Sequence, residues 1–202
     1  MSLVFDLFNV SFACFLSKEW TPWCLTTLLN VQFVINNEVI IIKKILFMDS
    51  KYINIYNNLV NLTRNKELYK RFKTQDTFSD RLIFFLLHFA FFLKVFKKDN
   101  DKKIMQDIYD FIFRQLELSI REIGYGDQSI NKKMKDYLNL FYGMLDKIHD
   151  WEDKSLEFKI SILQTFVDNQ GNDPDLAKYF DKYRENLLNS TLNSYIKGVI
   201  KY

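Results

Sequence analysis

LIFFLLHFAFFLKVF, residues 82–96, is apolar at every position except His88 and Lys94. At 15 residues it falls short of the roughly 20 that a bilayer core requires. A helix that is apolar nearly all round and does not cross a membrane belongs in the middle of a protein core. The flanks agree. Thr77 stands where an N-cap is needed and Asp80 follows three residues later, the spacing of a capping box. Lys97–Lys103 reads as a charged turn that closes the helix.

Outward from this segment the apolar residues recur at three and four. Ile53, Tyr56, Leu59, Val60 and Thr63 mark a helix upstream, followed by a short turn over Lys66–Phe72. Downstream, Ile104, Ile108, Ile112, Leu116 and Ile120 step by four, with Phe111 widening the stripe. Met134, Tyr137, Leu138, Phe141, Leu145 and Ile148 form the next stripe, and Leu156, Ile160, Leu163, Phe166 and Val167 another. Asp173-Pro174, a cap followed by proline at the first helical position, opens a helix carrying Leu176, Tyr179, Phe180, Tyr183 and Leu187. Thr191–Ile200 either continues it or forms a separate tail helix. The expected class is all-α: a compact multi-helix, orthogonal or bundle-like domain with an irregular N-terminal extension.

The chain has 202 residues, of which 48% are hydrophobic and 26% charged, with five Gly and two Pro. This excludes disorder and low-complexity architecture. A net charge of +3 is a weak footprint for nucleic acid, so DNA is not an expected partner. The charges are unevenly spread: six fall in residues 1–47 and 47 in the remaining 155. Cys14 and Cys24, both in the charge-poor part, are too few for a disulfide framework or a four-thiolate zinc site. We divide the chain into a hydrophobic extension, 1–47, and a helical domain, 48–202, with a core over 52–151 and further helices over 152–202. The extension has neither the pattern of a secretory signal nor a long enough apolar run for a membrane span. Met48 is the expected start of translation, the alternative being a genuine hydrophobic appendage.

Few residues invite chemistry. Gly124-Tyr125-Gly126-Asp127 nearly spells a dinucleotide fingerprint, but a helix, not a strand, precedes it. It reads instead as a turn, with Gly124 left-handed at a helix end and Asp127 or Ser129 capping the next helix. His88 has no second metal ligand at helical spacing, and a core histidine bonded to a backbone or hydroxyl group is expected. Asp110–Arg114 and Glu117–Arg121 are i,i+4 pairs on a solvated face. No nucleophile or carboxylate pair supports catalysis, and no cofactor is expected. Twenty Phe and 11 Tyr leave two readings open: aromatics at a partner interface, or Phe in place of Leu in the core.

The order of motifs is more specific than any of them alone. Arg64, Tyr69, Asp76-Thr77 and Arg81 lead to His88; Arg121-Glu122-x-Gly124-x-Gly126-Asp127 and Phe141-Tyr142-Gly143 follow. Over Tyr52–Trp151 this resembles the ubiquinol–cytochrome c chaperone family, whose most specific block is Leu-Arg-Glu-x-Gly-x-Gly-Asp. The chain departs from the family pattern at Asp80, Gln115 and Met144.

The resemblance implies an assembly factor for the respiratory cytochrome bc1 complex, without turnover, whose client is newly made cytochrome b. It further implies a small partner chaperone, the ribosome and peripheral membrane association. The expected location is the cytoplasmic side of a bacterial inner membrane, or the matrix side in a mitochondrion. Arg81, His88, Arg121, Glu122 and Asp127, with Gly124 and Gly126, are the expected partner-binding or structural polar cluster. Arg64, Tyr69, Asp76, Thr77, Tyr142 and Gly143 are supporting motif residues. The alternative function is a helical haem-type ligand binder or enzyme using His88.

Overall fold

A computed structural model describes residues 51–69, 77–98, 100–167 and 174–198. The expectations for residues 1–47, Met48, Asp76 and the Asp173 cap lie outside the described residues. Those described form seven α-helices and no strand. They are α1 (Ile53–Thr63), α2 (Phe78–Phe96), α3 (Lys102–Glu122), α4 (Asp127–Lys147), α5 (Leu156–Gln164), α6 (Pro174–Leu188) and α7 (Leu192–Lys197). Two 3-10 turns, Lys66–Tyr69 and Trp151–Asp153, lie between them. The all-α expectation holds.

α2 is the central helix. Every residue from Phe84 to Phe92 is buried, so this stretch offers no face to water. α1, α4 and α6 pack on it directly, each presenting the apolar stripe that its sequence period creates. Aromatic rings carry much of the contact. Phe89 stacks on Phe141 of α4 with centroids 5.3 Å apart, and Phe91 stacks on Phe180 of α6 at 5.2 Å and meets Trp151 edge-on at 5.1 Å. Of the two readings of the aromatic load, the core one accounts for most of the described phenylalanines. Among the described ones only Phe78 and Phe158 are exposed.

Helix ends follow local chemistry. The Thr77 hydroxyl accepts the Asp80 amide at 3.3 Å, and the Asp80 carboxylate accepts the Thr77 amide at 3.3 Å, which completes the expected capping box. Gly124 has φ +100°, a backbone conformation that suits glycine, and ends α3 as expected. The start of α4 differs from expectation. Gly126 itself occupies the N-cap, and neither Asp127 nor Ser129 caps by side chain. Asp127 lies in the first turn instead, where its charge complements the helix dipole while its carboxylate is taken by Arg121. The tail is a separate helix, because Thr191 caps α7 through the Ser194 amide. α7 returns to α1, where Asn54 and the buried Asn58 donate to the carbonyls of Ile196 and Gly198 at 2.9 and 3.1 Å. No helix of the described residues is long and apolar enough to cross a membrane.

The capping box yields a stability test. Thr77→Ala should cost about 1 kcal/mol in urea denaturation. Thr77→Ala combined with Asp80→Ala should cost less than the two single losses together, because the paired bonds disappear with either partner. Strict additivity would show that the two side chains act separately.

Candidate functional site

The turn joining α3 to α4 holds most of the residues expected to be functional. Arg121, in the last turn of α3, donates from Nε and Nη2 to Glu117 Oε1 at 3.1 and 2.8 Å. Its Nη1 donates to Asp127 in the first turn of α4. One guanidinium therefore ties both sides of the turn together across the left-handed Gly124. The bonds to Glu117 and then Asp127 raise the Arg121 pKa and keep the group charged. With 41% of its side chain exposed, Arg121 sits on the solvated face that its i,i+4 spacing suggests. The companion pair does not form: Asp110 accepts from Gln106 at 2.8 Å, and no ion pair joins it to Arg114. Glu122 and Arg81 are exposed. Around the pinned turn Leu118, Ile123 and Tyr125 stand 43%, 53% and 41% exposed, with the Lys133 ammonium 4.4 Å from the Tyr125 ring centre.

His88 does not join this group. It is fully buried on α2, and both ring nitrogens are engaged elsewhere. Nδ1 lies 2.6 Å from the Phe84 carbonyl oxygen, which only accepts, so Nδ1 carries the proton. Nε2 then accepts from the Tyr179 hydroxyl at 2.9 Å. Four residues along α6, Tyr183 donates to the His88 carbonyl at 3.4 Å and packs its ring 4.8 Å from the imidazole. Burial holds the His88 pKa down to about 4 against the opposing bond to Phe84, so the ring is neutral at pH 7. Burial likewise raises the Tyr179 hydroxyl. The expected core histidine is therefore observed, and with no free ring nitrogen it is not placed to ligate haem or a metal. Among the described residues no cluster of His, Cys, Asp and Glu is arranged to hold a metal ion.

The supporting motif residues have distinct roles. Tyr69 is buried, donates to the Thr63 carbonyl at 2.6 Å and meets Phe84 edge-on at 5.3 Å, fastening the first 3-10 turn to α1 and α2. Arg64 is exposed. Tyr142 is 55% exposed, its hydroxyl 2.9 Å from that of Tyr109 on α3. A Cβ at Gly143 would meet nothing within 4 Å, so packing does not demand glycine there.

A second charged centre has no counterpart among the expected residues. Glu152, in the Trp151–Asp153 turn, accepts Lys94 of α2 at 2.5 Å and Arg184 of α6 at 2.6 Å. Lys94 also donates to the Ile148 carbonyl at 2.8 Å. Burial alone would raise the Glu152 carboxyl, but the bonds from Lys94, its own backbone amide and Arg184 outweigh it and lower the pKa to about 2. Beside it, Asp181 accepts both the Trp151 indole at 2.7 Å and Lys159 at 2.9 Å. This clasp joins α2, α5 and α6 through one short turn. The only sequence signal was Lys94 itself, a cation in an apolar helix.

A family model described as ubiquinol-cytochrome C chaperone matches residues 70–199. The match ends well beyond Trp151, so α5, α6 and α7 belong to the family's extent, whereas Arg64 and Tyr69 precede its first residue. Among solved structures, the crystal structure of the Cbp3 homolog from Brucella abortus is similar, with a TM-score of 0.60 and 24% identity over 81% of this chain and 95% of that one. At that identity the likeness is one of fold. No curated protein matches the chain.

His88 makes stability depend on pH. Unfolded, its imidazole titrates near 6.5; folded, near 4. Between these values the unfolded chain binds the additional proton. The contribution is therefore complete above pH 6.5 and is lost as pH falls toward 4, by up to about 1.4 kcal/mol per unit. Melting temperatures between pH 7 and 4.5 should fall more steeply for the native chain than for His88→Gln; parallel curves would refute the assignment. A haem titration should produce no Soret band that depends on His88.

Proposed function

The chain belongs to the ubiquinol-cytochrome C chaperone family, and from that membership we propose that it holds newly made cytochrome b during assembly of the cytochrome bc1 complex, without catalytic turnover. The family match carries this reading. What supports it in the structure is the α3–α4 turn, where Ile123 and Tyr125 stand exposed on a backbone tied by Arg121 to Glu117 and Asp127. Exposed large apolar side chains on a rigid support suit contact with apolar client segments. In this proposal Arg121, Glu122, Gly124, Gly126 and Asp127 shape the contact surface, and His88 with Tyr69 and Thr77 maintain the helices behind it. A small partner chaperone, the ribosome and peripheral contact with the membrane, on its cytoplasmic or matrix side, complete the proposed setting.

Deleting the gene should lower cytochrome b and the assembled bc1 complex; normal levels of both would defeat the proposal. Complementation then tests the surface. Ile123→Asp with Tyr125→Asp should fail to restore assembly while leaving the melting temperature nearly unchanged, since neither side chain belongs to the buried core. Arg121→Leu separates two roles. Lost assembly with unchanged stability marks a contact, and a fall in melting temperature marks a strut.

A further inference from the structure

At the opposite end of α4 from the Gly124 turn, the last turn of that helix and one face of α5 border an open, shallow cleft of about 250 Å3. Lys147 and Lys154 line it together with Phe158, Ile162, Thr165 and a single carboxylate, Asp146. The two ammonium groups differ from those of Lys94 and Lys159. Lys94 and Lys159 are each matched by a carboxylate, Glu152 and Asp181. Lys147 reaches only the Thr165 hydroxyl at 3.3 Å and lies 5.6 Å from the Phe166 ring. Lys154 donates to the Lys147 carbonyl at 3.1 Å and lies 5.1 Å from the Phe158 ring. Two cations thus border one concavity without an ion-pair partner. Phe158, 52% exposed, forms an apolar wall, and Leu156, 43% exposed, is close by in sequence on α5.

We propose that this cleft docks a short acidic and apolar segment of a partner protein, with a carboxylate between Lys147 and Lys154 and a neighbouring leucine or aromatic side chain against Phe158. Its size favours a few side chains over a small-molecule ligand, whose sites usually enclose roughly 300–1,000 Å3. Charge selects the segment, since ammonium groups without a carboxylate gain a charge-assisted bond from one. An anionic bilayer fits less well. Asp150, Asp153 and Glu157, exposed and close to the two lysines in sequence, do not line the cleft, so they count against a broad anionic surface more than against a segment held inside it. The walls need little ordering, because the Trp151–Asp153 turn between them is fastened by the Glu152 and Asp181 bonds. The inference stands apart from the client surface, and either can fail alone.

The test uses the full chain and three probes: the fluorescein-labelled peptide Gly-Glu-Glu-Leu-Phe-Glu, its counterpart Gly-Lys-Lys-Leu-Phe-Lys, and phosphatidylglycerol-containing vesicles. The acidic peptide should bind, and Lys147→Glu with Lys154→Glu should weaken it by about tenfold or more. Lys147→Gln with Lys154→Gln, a milder change that keeps the surface neutral, should weaken it less. Phe158→Ala should weaken both the native and the charge-neutral chain, all at unchanged melting temperature. Equal binding of the two peptides, no binding of the acidic one, or indifference to charge reversal would overturn the proposal. So would vesicle binding that depends on these lysines while the acidic peptide does not compete.

Discussion

The structure depends on one constraint: α2 has no polar face through its middle. Nine consecutive buried residues, Phe84 to Phe92, must be covered on all sides by other parts of the chain. Each phenylalanine or leucine among them contributes about 1.5–3 kcal/mol when fully buried, so no arrangement that leaves one side open competes. The surrounding helices are consequently one-sided. α3 and α4 turn Ile112 and Phe141 inward and leave Arg114 and Lys135 in water. A central helix wrapped by amphipathic ones follows from the conflict between this composition and an aqueous surface.

The two polar residues of α2 then decide how the wrapping helices are positioned. A buried imidazole without partners would cost several kcal/mol, on the order of 1–3 for each unmet group. His88 avoids this by bonding within its own helix and to α6, whose Tyr179 and Tyr183 lie four apart and so face the same way. Lys94 acts similarly through Glu152, which also takes Arg184 of the same α6. Apolar contact alone tolerates sliding. These directional bonds select one register of α6 along α2.

This division explains what could be read from the sequence. Helix periods, the Thr77–Asp80 box and the Gly124 turn are local, each settled by residues within a turn or two of one another, and they were legible. The kind of partner that His88 needs was legible as well, because burial in an apolar helix leaves few options. The identity of that partner was not, since Tyr179 lies 91 positions away. Glu152 resembled any acid in a charged turn, and nothing nearby marks it as the meeting point of Lys94 and Arg184. Grouping His88 with Arg121 assumed that residues of one motif series meet in space. The two face different surroundings, one inside the aromatic core and one in water. Asp127 misled in a smaller way: it is the right residue for a cap, but Arg121 lies within reach and Gly126 already starts the helix.

α4 links the two surfaces that the core supports. It runs 21 residues from Asp127 to Lys147, about 30 Å at 1.5 Å per residue. The Gly124 turn lies at its first end, and the Lys147 cleft at its last. Segments bound at the two ends would not compete for the same side chains, so the two proposed contacts are compatible in one chain. Rigidity matters to both. At the first end Arg121 ties the two sides of the turn that carries Ile123 and Tyr125, and at the last the Lys159–Asp181 pair beside the Glu152 clasp ties α5 to α6. Between them Phe141 anchors α4 on Phe89, deep in the helix whose composition requires the whole assembly. The polar bonds at the two ends can therefore present surfaces without carrying the stability of the fold, which rests on the apolar centre.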